Sequence, residues 1–297
     1  MEDRKKRTKI KTKAKTETKS PMKTGTKTKK VKILSEEIGG GGPLMIIAGP
    51  CVIESRDVVF QTAAGLKEIC SSLGLPYVLK SSYDKANRSS VSSFRGPGLD
   101  SGLRVLTDAR AALGVPVISD VHSVAEVEAA AQALDALQIP AFLSRQTDLI
   151  LAVARTGKPG NIKKGQFLSP QEMGNAVEKF TSTGNHSLML TERGSAFGYN
   201  NLVVDMRGIP IMKAFGYPVV FDATHSVQLP GGQGSQSGGQ REFALTLAKA
   251  AVAAGADGIF MEVHPEPEKA LCDGPNMIAL DDVREFLVAL KRIKEAL

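Results

Sequence analysis

The sequence predicts a (β/α)8 barrel, and three observations carry that prediction. Eight short aliphatic or β-branched runs alternate in strict order with about eight amphipathic stretches of helical character. Alternation of this kind means right-handed βαβ units on a parallel sheet. Eight units in roughly 250 residues is the usual size of that barrel. Polar and titratable residues also gather at the C-terminal ends of the runs, which is where this fold carries its chemistry.

The runs are Leu44–Ala48, Tyr77–Leu79, Pro116–Ser119, Ala136–Ile139, Asn161–Lys163, Leu188–Thr191, Val219–Asp222 and Gly258–Val263. Between them lie Ala-, Leu-, Glu- and Lys-rich segments such as "SRDVVFQTAAGLKEICSSLG", "LDSGLRVLTDARAALG", "SVAEVEAAAQAL" and "REFALTLAKAAVAAG". Several close on Gly, a helix stop signal. The last helix is "LDDVREFLVALKRIKEAL". An open doubly wound sheet is the alternative, but "AGPCVIES" after the first run lacks the glycine spacing of a dinucleotide fingerprint.

The chain of 297 residues carries 38 Lys and Arg against 31 Asp and Glu, a net charge of +7. Residues 1–32 hold 14 of the basic residues and 3 of the acidic ones, so the remainder is slightly acidic. That opening Lys/Thr alternation has too few apolar residues to offset the entropy of ordering. Residues 1–33 are therefore expected to be a disordered tail, and residues 34–297 a single barrel domain. The tail has no apolar core of a secretory signal and no interleaved aromatics for base stacking, so neither export nor nucleic-acid binding is expected. No apolar run is long enough to span a bilayer. Three cysteines, Cys51, Cys70 and Cys272, form no even framework and point to a reducing, cytoplasmic setting.

Strand ends supply Cys51, Lys80, Asp120 with His122, Gln138, Lys163 with Lys164, Glu192 with Arg193, Asp222 with His225, and Glu262 with His264. Lys80, Lys85, Arg88, Lys163 and Arg193 converging on one mouth imply a substrate with phosphate or carboxylate groups. The competing reading is internal ion pairing with Asp84, Asp120, Asp222 and Glu192. Asn87, Ser89 and Ser90 add hydrogen-bonding groups suited to a sugar phosphate. In a closed barrel the first strand neighbours the eighth and the eighth the seventh. Cys51, His225, Glu262 and Asp273 are then neighbours, a mixed set for Zn²⁺, Fe²⁺ or Mn²⁺. His264 and Cys272 compete for places in it. The glycine-rich stretch 230–240 reads either as a flap that excludes water or as a long connector.

"AGPCVIES", "KSSYDKANRSSVSSFRGPG", "IPAFLSRQTDL", "NIKKGQF", "ERGSAFGYNNLVVDMR", "FDATHSVQ", "GIFMEVHPEP" and "CDGP" together resemble the 3-deoxy-D-manno-octulosonate 8-phosphate synthases, from about Leu44 to the C-terminus. The resemblance implies a (β/α)8 homotetramer in the cytoplasm. It also implies condensation of phosphoenolpyruvate with D-arabinose 5-phosphate and water, in lipopolysaccharide biosynthesis. Lys80, Lys85, Lys163 and Arg193 would hold phosphoenolpyruvate, with Gln138 close by. Asn87, Arg88 and Ser89 would hold arabinose 5-phosphate. Arg145 would reach the sugar's phosphate of a neighbouring subunit. The family divides at the position of Cys51, with Cys marking the metal-dependent class. By that resemblance Cys51, His225, Glu262 and Asp273 are the ligands, with His225 also among the catalytic residues and Asp273 also at the substrate. A seven-carbon synthase using erythrose 4-phosphate would carry a "KPRTS"-like segment in place of "KANRSS".

Overall fold

The structure, a computed structural model, describes residues 27–88, 90–231 and 238–297. Eight parallel strands close on themselves: β1 (Met45–Gly49), β2 (Tyr77–Lys80), β3 (Val117–Asp120), β4 (Ala136–Ile139), β5 (Gly160–Lys163), β6 (Leu188–Glu192), β7 (Val219–Asp222) and β8 (Gly258–His264). Each pairs with the next, and β8 pairs with β1 from Gly258–Met45 to Glu262–Gly49, so these eight strands form a closed cylinder. Each strand is followed by its helix: α1 (Arg56–Leu73), α2 (Leu99–Leu113), α3 (Val124–Ala133), α4 (Thr147–Arg155), α5 (Met173–Thr181), α6 (Gly208–Lys213), α7 (Ala244–Ala253) and α8 (Val283–Glu295). The predicted barrel, strand by strand, is the observed one.

Local chemistry sets the helix limits. Ser55 caps α1 by accepting the Val58 N–H at 3.2 Å, and Gly74 ends it in the left-handed region at φ 65°. The α8 helix buries Val283, Phe286, Leu287 and Leu290, the i, i+3, i+4, i+7 stripe of an amphipathic helix.

Strand side chains alternate between two cores. Ile46, Ala48, Tyr77, Leu79, Val117 and Leu137 face outward and pack under the helices. Met45, Ile47, Val78, Ile118, Ala136, Met189, Val220 and Phe260 face inward and form a separate apolar layer inside the cylinder. Each such side chain is worth about 1.5–3 kcal/mol when fully buried. Two residues further along, the inward position turns polar. Val78 is followed by Lys80, Ile118 by Asp120, Ala136 by Gln138, Val220 by Asp222 and Phe260 by Glu262. One backbone period therefore builds both the apolar plug and the charged mouth above it.

The floor of the barrel corrects the expected domain boundary. Residues 1–26 lie outside the described residues, but Val31–Ile33 and Glu36–Ile38 form an antiparallel hairpin. Val31, Ile33 and Ile38 are buried in the inner apolar layer, and Ile38 reaches Gly258 at the start of β8. The ordered chain thus begins before residue 34. Lysine-rich composition masked two apolar side chains that the open N-terminal end of the cylinder needed.

Candidate active site

The C-terminal ends of the strands surround a cavity of about 850 Å³. Lys80, Lys85, Lys163 and Arg193 line it, all nearly buried, together with Asn87, Arg88, Asp120, His122, Gln138, His225 and Asp273. The cations are not left to repel one another. Lys163 Nζ donates to Asp222 Oδ2 at 2.6 Å and stands 3.5 Å from the centre of the Phe260 ring. Lys80 Nζ donates to Ser82 Oγ at 2.7 Å and lies 3.5 Å from Asp120, while Lys85 lies 3.5 Å from Glu262. Arg193 donates to the Gln228 amide oxygen at 3.1 Å. The cations line the cavity and also pair internally, with Asp120 and Asp222 as the competing reading had it, whereas Asp84 pairs with Arg95 and Glu192 with Lys164.

Electrostatics keep those carboxylates ionised. Burial works against the charge on Asp120, but Lys80, Lys85, His122 and Lys163 outweigh it and hold the carboxyl well below its usual range. At Glu262 burial is again outweighed, by His225 and the lysines, which bring its pKa down to about 2. Burial lowers the Lys163 pKa, and Asp222 only partly restores it. Asp222 itself is held well below its ordinary value, burial being overcome by His225 and Lys163.

A chain of side-chain hydrogen bonds runs across the cylinder beneath the cavity. Thr191 Oγ1 donates to Asn161 Oδ1 at 2.7 Å, Asn161 Nδ2 to Gln138 Oε1 at 3.0 Å, and the Gln138 amide to Asp120. Ser82 Oγ donates to the other Asp120 oxygen at 2.5 Å. Because every member is buried, the chain fixes which way the Gln138 amide faces. Asn161, Thr191 and Ser82 were not singled out from the sequence. The available signal was a polar residue at an inward strand position, Asn161 within β5 and Thr191 within β6.

The second cluster joins Cys51 after β1, His225 after β7, Glu262 on β8 and Asp273 in the loop beyond. Possible ligand atoms of His225, Glu262 and Asp273 lie within 4.8 Å of one another, and so do those of Cys51, Cys272 and Asp273. Asp273 belongs to both groups. Its backbone adopts φ 49° and ψ 23°, the left-handed region that costs a non-glycine residue about 1–3 kcal/mol. Gly49, leading into Cys51, passes so close to β2 that an added Cβ would meet the Lys80 carbonyl oxygen at 2.2 Å.

The donor set fits a divalent transition ion. Both carboxylate oxygens of Glu262 are buried without a hydrogen-bond partner, in a group that stays ionised. Lys85 faces Oε1 at 3.5 Å without a hydrogen bond, so both oxygens keep lone pairs open to a further cation. His225 Nδ1 stands 2.9 Å from Asp222 without a hydrogen bond of good geometry, and Nε2 faces Glu262 at 3.6 Å. Burial, and then the neighbouring Cys272, raise the Cys51 thiol well above its usual value. A bound cation is what draws out a thiolate in such surroundings.

The competing candidates separate. Cys272 does join the cluster, with its sulfur 2.7 Å from that of Cys51. His264 does not: its ring packs toward Glu54 at 3.5 Å and accepts the Glu266 N–H. Lys164 also turns away from the cavity, donating to the Gly194 carbonyl at 2.9 Å and to Ser195 Oγ at 3.0 Å. Cys70 is an outer-core residue of α1, its thiol pushed up to about 12 by burial.

Arg145 stands apart from the cavity. It is exposed and lines a separate groove with Thr147, Glu172, Glu178 and Lys179. Ser89 lies outside the described residues, as do 232–237 of the glycine-rich stretch. The ends of that stretch pair as Gln228–Leu229 with Gly238–Gly239 on the rim of the site. Gln166, Gln228 and Arg241 line the cavity without having been singled out from the sequence.

The sequence profile of the DAHP synthetase I family matches residues 11–297. A protein of Trichlorobacter lovleyi named 2-dehydro-3-deoxyphosphooctonate aldolase is 60% identical over 266 residues, covering 90% of this chain and 98% of that protein. Proteins of the same name from Geobacter sp. (strain M21) and Geobacter sulfurreducens are 60% and 59% identical, each covering 90% of this chain and 97% and 98% of themselves.

Proposed function

The chain belongs to the DAHP synthetase I family, and from that premise we propose that it is a 3-deoxy-8-phosphooctulonate synthase of the metal-dependent kind. It condenses phosphoenolpyruvate with D-arabinose 5-phosphate and water, giving 3-deoxy-D-manno-octulosonate 8-phosphate and inorganic phosphate. The product is the eight-carbon sugar acid phosphate of lipopolysaccharide biosynthesis. The observation that carries the reading is a cationic cavity that meets a buried cluster of ion-ligand types, with His225 and Asp273 belonging to both. Lys80, Lys85, Lys163 and Arg193 supply the cations, and Cys51, His225, Glu262 and Asp273 supply the ion ligands.

The chemistry joins two anions. C3 of phosphoenolpyruvate attacks the aldehyde carbon of the open-chain sugar, water adds at C2, and phosphate leaves by C–O cleavage. Lys163 and Arg193, on adjacent strand ends β5 and β6, hold the phosphoenolpyruvate phosphate and carboxylate, with Lys80 and Lys85 opposite. Preorganised cations in a nearly dry site stabilise charge that builds as the anions approach, and they need no reorganisation at the moment of reaction. Gln138, fixed by Asp120 and Asn161, presents its amide beside them. Asn87, Arg88 and Ser89 hold the arabinose 5-phosphate, and Asp273 contacts it from the loop after β8. A Zn²⁺, Fe²⁺ or Mn²⁺ ion held by Cys51, His225, Glu262 and Asp273, when bound, supplies Lewis-acid polarisation of an oxygen.

Arg145 is proposed to act across a subunit boundary in a homotetramer, and its exposure away from its own chain's cavity supports that role. No helix among the described residues is long and apolar enough to cross a membrane. Three free, buried cysteines support a reducing setting, and the cytoplasm is proposed on that ground. The lysine-rich residues before the Val31–Ile33 strand are proposed to take no part in the chemistry.

The test is a phosphate-release assay with phosphoenolpyruvate and either arabinose 5-phosphate or erythrose 4-phosphate. The expected result is turnover with the five-carbon sugar, lost on chelation and regained with a divalent ion. Preference for the four-carbon sugar overturns the substrate assignment, and full activity after verified metal removal overturns the ion.

A further inference from the structure

We propose that Glu54 is a positioning residue for the ion site. Its carboxylate accepts the Leu271 N–H, stands beside the His264 imidazole, and so holds the Cys272–Asp273 turn against Cys51. The inference rests on reading Cys51, His225, Glu262 and Asp273 as ion ligands.

The two ligand-bearing segments are anchored differently. Cys51–Ile53 is stitched to the chain leaving β2: the Ile53 N–H donates to the Ser82 carbonyl at 2.9 Å, and Val52 bridges Ser82. Cys272 and Asp273 instead lie on an excursion that leaves the barrel at His264 and returns at Ile278–Ala279, where it pairs with Val263 and His264. Within that excursion Asp273 holds its left-handed backbone. Strained backbone of this kind persists where surrounding contacts over-determine it.

Glu54 supplies such contacts from across the site. It stands three residues past Cys51, and Oε1 accepts the Leu271 N–H at 2.8 Å, two residues before Asp273. Oε2 lies 3.5 Å from His264 Nε2. His264 Nδ1 accepts the Glu266 N–H at 2.9 Å, and Nε2 makes no hydrogen bond, so Glu54 is the polar group that stands against it. The side chains of Glu54 and His264 are only 9% and 5% exposed, while the Leu271 end of the contact lies at the surface. Ala270 packs beside it on Cys51, Val52, Cys272 and Met277, which closes the seam with apolar surface. One carboxylate thus ties the end of β1 to both the start and the middle of the loop that carries Asp273. Aspartate is one methylene too short to reach both groups, and alanine reaches neither.

Cobalt(II) titration of chelator-stripped protein, followed by the visible absorption of the bound ion, tests this in wild type, Glu54→Ala and Glu54→Asp. Both variants are expected to bind cobalt roughly 10–100-fold more weakly, the scale on which outer-sphere partners act. Melting temperatures in chelator should stay within a few degrees of wild type, and turnover should return at saturating cobalt. Wild-type affinity in folded Glu54→Ala overturns the assignment, as does turnover that stays low at saturating cobalt. Should Glu54→Ala not fold, wild-type affinity in Glu54→Asp overturns it equally. Failure of the wild-type protein to bind cobalt overturns the ion site itself.

Discussion

The Lys163 ammonium lies 2.6 Å from the Asp222 carboxylate, and both side chains are almost fully buried. The pair spans β5 and β7, and the Phe260 ring lies beneath the lysine. A buried pair is a poor device for stability, since desolvation offsets most of the attraction. Its value here is positional: it places a cation at a fixed point on the cavity floor.

Lys163→Ala and Arg193→Ala are each expected to cut turnover by at least about 10²–10³-fold, the scale of a lost electrostatic donor. Asp222 keeps the His225 N–H and Thr224 Oγ1 as partners, so the barrel should stay folded. Phosphate release and circular dichroism measure the two effects. Near-wild-type turnover in both variants would remove them from the machinery.

The alkaline side of the pH profile should report Lys163. Burial lowers its pKa, so the ammonium loses its proton at a lower pH than an ordinary lysine, near 10.4, would. The kcat/KM for phosphoenolpyruvate should therefore fall as pH rises, and fall early. A profile of kcat/KM for phosphoenolpyruvate checks this. A flat limb up to the ordinary lysine range contradicts it.

Replacing Cys51 with Ser or Glu262 with Gln should weaken divalent-ion binding by at least about 10²-fold, more than an outer-sphere change. Metal content after dialysis is the direct measurement. Retention of stoichiometric ion in both variants would mean that the ion sits elsewhere.

Ile33→Ala should destabilise the protein by about 2–5 kcal/mol, the usual range for a buried Ile-to-Ala change. Ile33 is fully buried in the inner layer although it lies 12 residues before β1. Thermal melting of the variant decides whether the hairpin is part of the fold or an appendage.

Strand and helix positions were readable because their signals are local. Alternation with period two and stripes with period 3.6 follow from backbone geometry, and burial of apolar groups enforces them. Lys80, Asp120, Gln138, Asp222 and Glu262 were legible as polar residues at the C-terminal strand ends for the same reason: each sits at the end of a run whose direction the pattern already implies. The closure of strand one on strand eight followed from the count of eight. Composition misled only where it dominated the local signal, at Val31 and Ile33 within a lysine-rich segment.

What the sequence alone determined is the cylinder, the mouth that carries the chemistry and most of the side chains around it. Tertiary structure decided which of these groups touch. It set Cys272 against Cys51 across 221 residues, turned His264 and Lys164 away from the site, joined Asn161 and Thr191 to Gln138, and left Arg145 outside its own chain's cavity. Such contacts depend on the path of loops, including one residue held at a left-handed φ. No periodicity along the chain records where a loop returns in space.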